Sequence, residues 1–186
     1  MNKIIVLNKV FIDNNMKRKI ERPAWSEYYM FNAFWAATRS SCSYLKTGAV
    51  IIKDKRIIAI EYNGAPSDIK NCLDVGCRKD KHGIDFNDKG ESACRGIHAE
   101  KNAMNQISRE NLKGTTMYTV FYPCSRCAKE IVGNGFEEVV YSFYYKEPES
   151  LTKELFSEKG IKLRKLELKI EKDFNMIKFV MEQKRK

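Results

Sequence analysis

His98-Ala99-Glu100, followed by Pro123-Cys124-Ser125-Arg126-Cys127, is where this sequence could do chemistry. One imidazole and two thiolates supply three ligands of a tetrahedral zinc and leave the fourth position open, which distinguishes a catalytic zinc from a structural one. Glu100 is not needed as a ligand, so its carboxylate is free to move protons for a water that the metal polarises. The Cys124-x-x-Cys127 spacing turns both thiols to one face of a helix start. A helix N-terminus favours thiolates and nearby negative charge. Each half is weak alone, because Cys-x-x-Cys also serves as a redox pair or as half of a closed zinc site. Their order, and the proline before Cys124, point to a catalytic metal site.

Ordered elements must hold these residues. Pro23 opens a helical stretch with Trp25, Tyr28, Tyr29, Phe31, Asn32 and Trp35 on mixed faces, running to about Arg39. Residues 48–53 and 56–62 read as two strands joined at Asp54-Lys55. Tyr62-Asn63-Gly64-Ala65-Pro66 is turn chemistry. A helix is expected from about Ile97 to Ser108, with His98 and Glu100 at its start. A strand follows at Thr115–Tyr122, a helix at Ser125–Val132 and a strand at Glu137–Phe143. Then come a helix at Glu149–Lys159 stopped by Gly160, a strand at 161–170 and a terminal helix at 173–182. Strands alternating with helices argue an α/β three-layer domain. Residues 65–97 are polar with little periodicity, and a loop that long in a compact domain is functional or pinned.

The 186 residues fit one domain with a sizeable core, and a 43% apolar share argues against disorder. No apolar run approaches the ~20 residues that span a bilayer, so no membrane partner is expected. The opening Met1–Leu7 run is broken by Asn8 and Lys9 with no small-residue cleavage site after it. No signal peptide is read, and a cytoplasmic location with reduced thiols is expected. The net charge of +10 sits at the ends: residues 1–22 hold six Lys/Arg against two Asp/Glu, and 160–186 hold nine against four. A basic balance suits nucleic acid or a phosphorylated ligand. Confined to two ends, it reads rather as solvated tails or a subunit contact, and no nucleic-acid partner is expected.

Cys42, Cys72, Cys77 and Cys94 remain. Four thiolates saturate a tetrahedral zinc and close it. Metal binding would then order the segment 65–97, whose few apolar residues cannot. The bland alternative is four free thiols packed as small hydrophobes. Three of the four lie in a polar stretch with no evident core, which favours a second, structural zinc. Disulfides are not expected in a reducing compartment.

The H-x-E…P-C-x-x-C pattern is the known signature of zinc deaminases. Together with Trp25-Ser26-Glu27-Tyr28-Tyr29-Met30, Thr47-Gly48-Ala49-Val50-Ile51, Tyr62-Asn63-Gly64, Ile97–Ala103 and Pro123–Lys129, it makes the chain resemble the cytidine and deoxycytidylate deaminase superfamily. Within it the chain is most similar to the deoxycytidylate (dCMP) deaminases, over about 23–146 and fading towards 168. The resemblance implies a cytidine-deaminase-like three-layer αβα fold with a central five-stranded mixed sheet. The deaminase domain would run over 23–170 with 65–97 as a zinc-binding insertion, between a basic extension at 1–22 and a basic C-terminal helix or tail at 171–186. It implies hydrolysis of dCMP to dUMP and ammonia, with His98, Cys124 and Cys127 on the catalytic zinc and Glu100 as proton shuttle. Asn63 would meet the sugar and Tyr145 the nucleotide. Asn63 before Gly64 is also a common turn residue, and Tyr145 sits in an aromatic run that could be core. Several members carry a second zinc where Cys42, Cys72, Cys77 and Cys94 fall, with His or Glu for some thiols, which makes His82 a candidate substitute. The family commonly forms hexamers or other homo-oligomers.

The chain also departs from the family. Many members have glycines after the Tyr-Asn-Gly turn, associated with a regulatory triphosphate. Here Ala65-Pro66-Ser67-Asp68-Ile69-Lys70-Asn71 lacks that pair, and phosphates approach such a backbone less easily, which weakens the case for control by dCTP and dTTP. Lys70, Arg109 and Arg126 are candidate phosphate contacts or solvated charges. Two rivals to a dCMP deaminase stand. One is a deaminase of tRNA adenosine, a nucleoside, a free base or a riboflavin precursor, against which the insertion at 65–97 argues for tRNA. The other is a non-catalytic, zinc-stabilised binding module, against which Glu100 argues.

Overall fold

The structure is a computed structural model that describes residues 22–168 apart from 87, 89, 91–92 and 146–148. The chain divides into two units, one of residues 24–169 and the other of 1–23 with 170–186. The basic extension expected at 1–22, but for its last residue, and the terminal helix expected at 173–182 lie outside the described residues. The sheet and helices below belong to the unit 24–169.

Helix α1 spans Trp25–Ala37, and the Glu27 carboxylate accepts the Ala24 N–H at 2.7 Å to close its first turn. Strands β1 (Gly48–Lys53) and β2 (Arg56–Tyr62) form an antiparallel hairpin. Asp54 and Lys55 both take positive φ there, 49° and 61°, as a two-residue turn matched to strand twist requires. The expected irregular insertion contains two four-residue helices, α2 (Cys72–Val75) and α3 (Arg78–Lys81). Asn71 caps α2 by accepting from the N–H of Leu73 and Asp74, while Asp74 accepts the Asn71 N–H at 2.9 Å. The expected helix at 97–108 is shorter, α4 at Ala99–Asn105, with a separate turn α5 at Arg109–Leu112. Then follow β3 (Thr116–Phe121), α6 (Ser125–Gly133), β4 (Glu138–Phe143), α7 (Ser150–Lys159) and β5 (Lys162–Lys165). The strand expected to 170 ends at Lys165 in the described residues: the Leu166 N–H still donates to the Tyr141 carbonyl at 2.7 Å, and the Leu166 carbonyl accepts from the Ser142 hydroxyl at 3.0 Å.

The five strands make one mixed sheet in the order β2-β1-β3-β4-β5. β1 runs antiparallel to β2 and β3, while β3, β4 and β5 run parallel through the crossovers α6 and α7. Alternation along the strands splits the core into two layers. Ala49, Ile51, Met117 and Val139 face the layer of α4, α6 and α7 with Ala103, Cys127, Ile131 and Phe156. Val50, Ile52, Tyr118, Val120 and Val140 face α1 through Tyr29, Met30, Ala33 and Ala37. This is the three-layer α/β arrangement with helices on both faces. At Gly48 a Cβ would lie 2.1 Å from the Ala33 carbonyl oxygen, so only glycine lets α1 settle so close to β1. None of the described helices is long and apolar enough to cross a membrane.

Candidate metal centre

Two helix starts meet on the α4–α6 side of the sheet. His98 is the residue before α4, extended at φ −68° and ψ 151°, and Cys124 is the residue before α6, at φ −72° and ψ 163°. Glu100 falls in the first turn of α4 and Cys127 in that of α6. A bridge fixes the approach to His98: Gly64 and Ile97 exchange hydrogen bonds of 3.2 and 2.7 Å. The His98 Nδ1 lies 3.5 Å from the Cys124 Sγ and 3.3 Å from the Cys127 Sγ. Ligand atoms on one tetrahedral zinc, bonded at about 2.1 Å (N) and 2.3 Å (S), sit roughly 3.6 Å apart. The donor set and its spacing therefore fit zinc with one position left over.

The charges fit as well. The Cys124 thiol is pulled down to about 4 by a hydrogen bond from Cys127 and by His98. Cys127, the donor of that pair and buried, is pushed up. His98 is raised, chiefly by its hydrogen bond with Cys124. Glu100 is only 6% exposed, and burial raises its carboxyl despite the opposing pull of His98. A carboxyl whose pKa burial raises, beside the ligands yet outside the three-residue ligand group, suits proton transfer.

The remaining residues singled out in the sequence fall as follows. Asn63 is committed to the backbone: its Oδ1 accepts from the Thr47 N–H at 2.9 Å and its Nδ2 donates to the Leu45 carbonyl at 2.8 Å. It sits one residue before the Gly64–Ile97 bridge, and its amide keeps one hydrogen and one lone pair beyond those two bonds. The Tyr145 hydroxyl is raised by burial first and then by the charges of Cys124, Glu149, Glu100 and Cys127, and its ring stands edge-on to Phe121 with centroids 5.8 Å apart. Of the candidate phosphate contacts, Arg126 is exposed and its charge opposes protonation of His98, Arg109 is tied to the Gly133 carbonyl at 3.0 Å, and Lys70 is exposed with its carbonyl taken by Arg95. A cavity of about 430 Å³ opens beside the Tyr62–Gly64 turn, lined by Arg39, Ser40, Lys46 and Ser67 among others, and none of the three metal ligands lines it.

The other four cysteines bear on one another electrostatically. Burial raises the Cys72 thiol first, and the nearby thiols of Cys94, Cys42 and Cys77 raise it further. The Cys42 sulfur accepts the Leu45 N–H at 3.4 Å, and the Cys94 sulfur accepts the Gly96 N–H at 3.3 Å. Among the described residues only His98, Cys124 and Cys127 bring three metal-binding atoms within 4.8 Å of one another. His82 is turned to Arg78, 3.1 Å from its guanidinium.

Residues 23–143 match the cytidine and deoxycytidylate deaminase zinc-binding region. The chain belongs to that family. Deoxycytidylate deaminase of Mycobacterium phage D29 is 39% identical over 66% of this chain and 97% of its own length. Deoxycytidylate deaminase of Saccharomyces cerevisiae is 34% identical over 83% of this chain, which spans 49% of that longer protein. The dCMP deaminase of cyanophage S-TIM5, solved in complex with dCMP and dUMP, superposes with a TM-score of 0.61 at 26% identity, over 78% of this chain and 99% of that one. The cytidine-deaminase-like fold expected from the sequence is thus the observed one, and zinc is the metal of the family and of this donor set.

Sequence reasoning missed Glu149 and Thr152. The Glu149 carboxylate accepts the Ser125 N–H at 2.7 Å, and the Thr152 hydroxyl donates to the Pro123 carbonyl at 3.2 Å. The only signal in the sequence was their place at a helix start, which says nothing of what they touch.

Proposed function

We propose that this deaminase hydrolyses dCMP to dUMP and ammonia. The observation that carries the reading is the buried Glu100 carboxyl beside His98, Cys124 and Cys127 at two converging helix starts, in a chain whose relatives are named deoxycytidylate deaminases. His98, Cys124 and Cys127 hold the zinc. Zinc held there supplies the Lewis acidity that makes a water nucleophilic at neutral pH. Glu100 would take a proton from the attacking water as its oxygen adds to C4 of the cytosine ring, and would deliver it to N3. Glu100 then carries the second proton to the 4-amino group, the C4–N bond breaks, and ammonia leaves as the C4 carbonyl forms. Tyr145 contacts the nucleotide, and Asn63, one residue before the bridge to Ile97, contacts its sugar.

Cys42, Cys72, Cys77 and Cys94 hold a second, structural zinc, supported by the mutual electrostatics at Cys72 and by the N–H···S contacts at Cys42 and Cys94. We read residues 23–170 as the deaminase domain between basic ends, in a cytoplasmic homo-oligomer. The test is ammonia release from dCMP against cytidine, deoxycytidine, free bases, a riboflavin-type pyrimidine precursor and tRNA. Preference for dCMP supports the reading, and preference for any other substrate overturns it.

A further inference from the structure

Helix α6 begins with a residue that cannot cap it. The position before its first turn favours an oxygen side chain that accepts from the helix's free N–H groups. Cys124 stands there, makes no such bond, and its sulfur is directed to His98. The cap comes from another helix. Glu149 stands just before α7, and its Oε2 accepts the N–H of Ser125, the first residue of α6, at 2.7 Å. In the first turn of the same helix, Thr152 is fully buried and donates its hydroxyl to the carbonyl of Pro123 at 3.2 Å. Pro123 is itself fully buried. The two residues flanking Cys124 in sequence are therefore each held by one residue of α7, and the Thr152 N–H holds the Glu149 carbonyl at 3.2 Å, which ties the two grips into one turn.

We propose that Glu149 and Thr152 are positioning residues that clamp the Pro123-Cys124-Ser125 backbone and so set where the Cys124 sulfur meets the metal. The proposal rests on the reading of His98, Cys124 and Cys127 as zinc ligands. The arrangement has a physical reason. A thiolate ligand at the cap position leaves the helix start without its usual acceptor, and a free backbone end lets the sulfur wander. Groups that orient metal ligands from outside the coordination sphere are typically worth about 10–100-fold in metal affinity.

The test is zinc affinity, read by chelator competition on the full-length protein and restricted to the ion that Cys124→Ala removes. Thermal midpoints are taken with and without zinc. Glu149→Ala and Thr152→Val are each expected to weaken that ion by about 10–100-fold and to shrink the stabilisation it gives. Glu149→Gln keeps an acceptor and Thr152→Ser keeps the hydroxyl, so both are expected within threefold of wild type. Thr152→Val conserves shape in a buried site, so it decides the matter should Glu149→Ala fail to fold. Unchanged zinc affinity in Thr152→Val overturns the proposal, as does an equal loss of thermal stability with and without zinc. If Cys124→Ala itself leaves zinc binding intact, the ligand assignment fails instead.

Discussion

Gly48→Ala is the substitution whose cost follows most directly from the structure. The new Cβ would meet the Ala33 carbonyl oxygen at 2.1 Å, the Ala37 nitrogen at 2.8 Å and the Ala36 Cβ at 3.0 Å, whereas ordinary contact begins at 3.4 Å. Two of these neighbours are main-chain atoms of α1, so no rotamer change relieves them. The helix must retreat from β1 by more than an ångström, across an interface where Met30, Ala33 and Val50 are fully buried. Overpacking of this kind costs about 3 kcal/mol, a large part of the 5–15 kcal/mol that typically holds a domain together. Loss on that scale corresponds to a midpoint roughly 6–12 °C lower. Denaturant and thermal unfolding of both proteins, saturated with zinc, would measure it. The metal ligands lie with α4 and α6 on the opposite face of the sheet, so folded Gly48→Ala is expected to keep its zinc at that site. A loss below about 1 kcal/mol would refute the reasoning, because α1 could not then lie as close to β1 as described.

Zinc affinity at the His98, Cys124 and Cys127 site is expected to tighten about tenfold per pH unit near neutrality. Cys124, lowered to about 4, is already a thiolate there, while Cys127, raised, must give up one proton to bind. The slope should steepen at lower pH as His98, whose pKa is also raised, comes to carry a second proton; competition titrations across pH would show both regimes. Asn63→Ala removes the bonds to Leu45 and Thr47 and is expected to cost about 1–3 kcal/mol of stability in denaturant melts. Tyr145→Phe keeps the ring against Phe121 and is expected to raise KM for dCMP roughly 2–10-fold with little change in kcat. Unchanged KM would remove the tyrosine hydroxyl from nucleotide contact.

The candidate metal site was legible because zinc chemistry restricts residue type and spacing at once. His98, Glu100, Cys124 and Cys127 could be named from the chain alone as candidates, and the β-rich runs at 48–53, 115–122 and 137–143 announced the strands β1, β3 and β4 around them. Asn71 and Asp74 form a readable capping pair, yet four-residue helices are too short for a period, and α2 and α3 passed for loop. The alternation past Lys165 suggested a longer strand, whereas the Leu166 carbonyl accepts from the Ser142 side chain, a contact no pattern announces. Glu149 and Thr152 were illegible as partners of Pro123 and Ser125, since those contacts depend on how α7 packs against α6. The backbone bonds of Asn63 were hidden for the same reason: Thr47 and Leu45 reach it only once the hairpin has formed.

The central claim is that zinc and Glu100 act together on the amino group of a cytosine nucleotide. The most direct measurement is ammonia release from dCMP by the zinc-loaded protein and by its Glu100→Gln variant, with zinc content determined for both. The account predicts turnover by the first, and a variant that keeps its zinc and its fold but is slower by about 10²–10⁴-fold or more. A fully zinc-loaded wild-type protein that releases no ammonia from dCMP, or a Glu100→Gln variant as active as wild type, would contradict it.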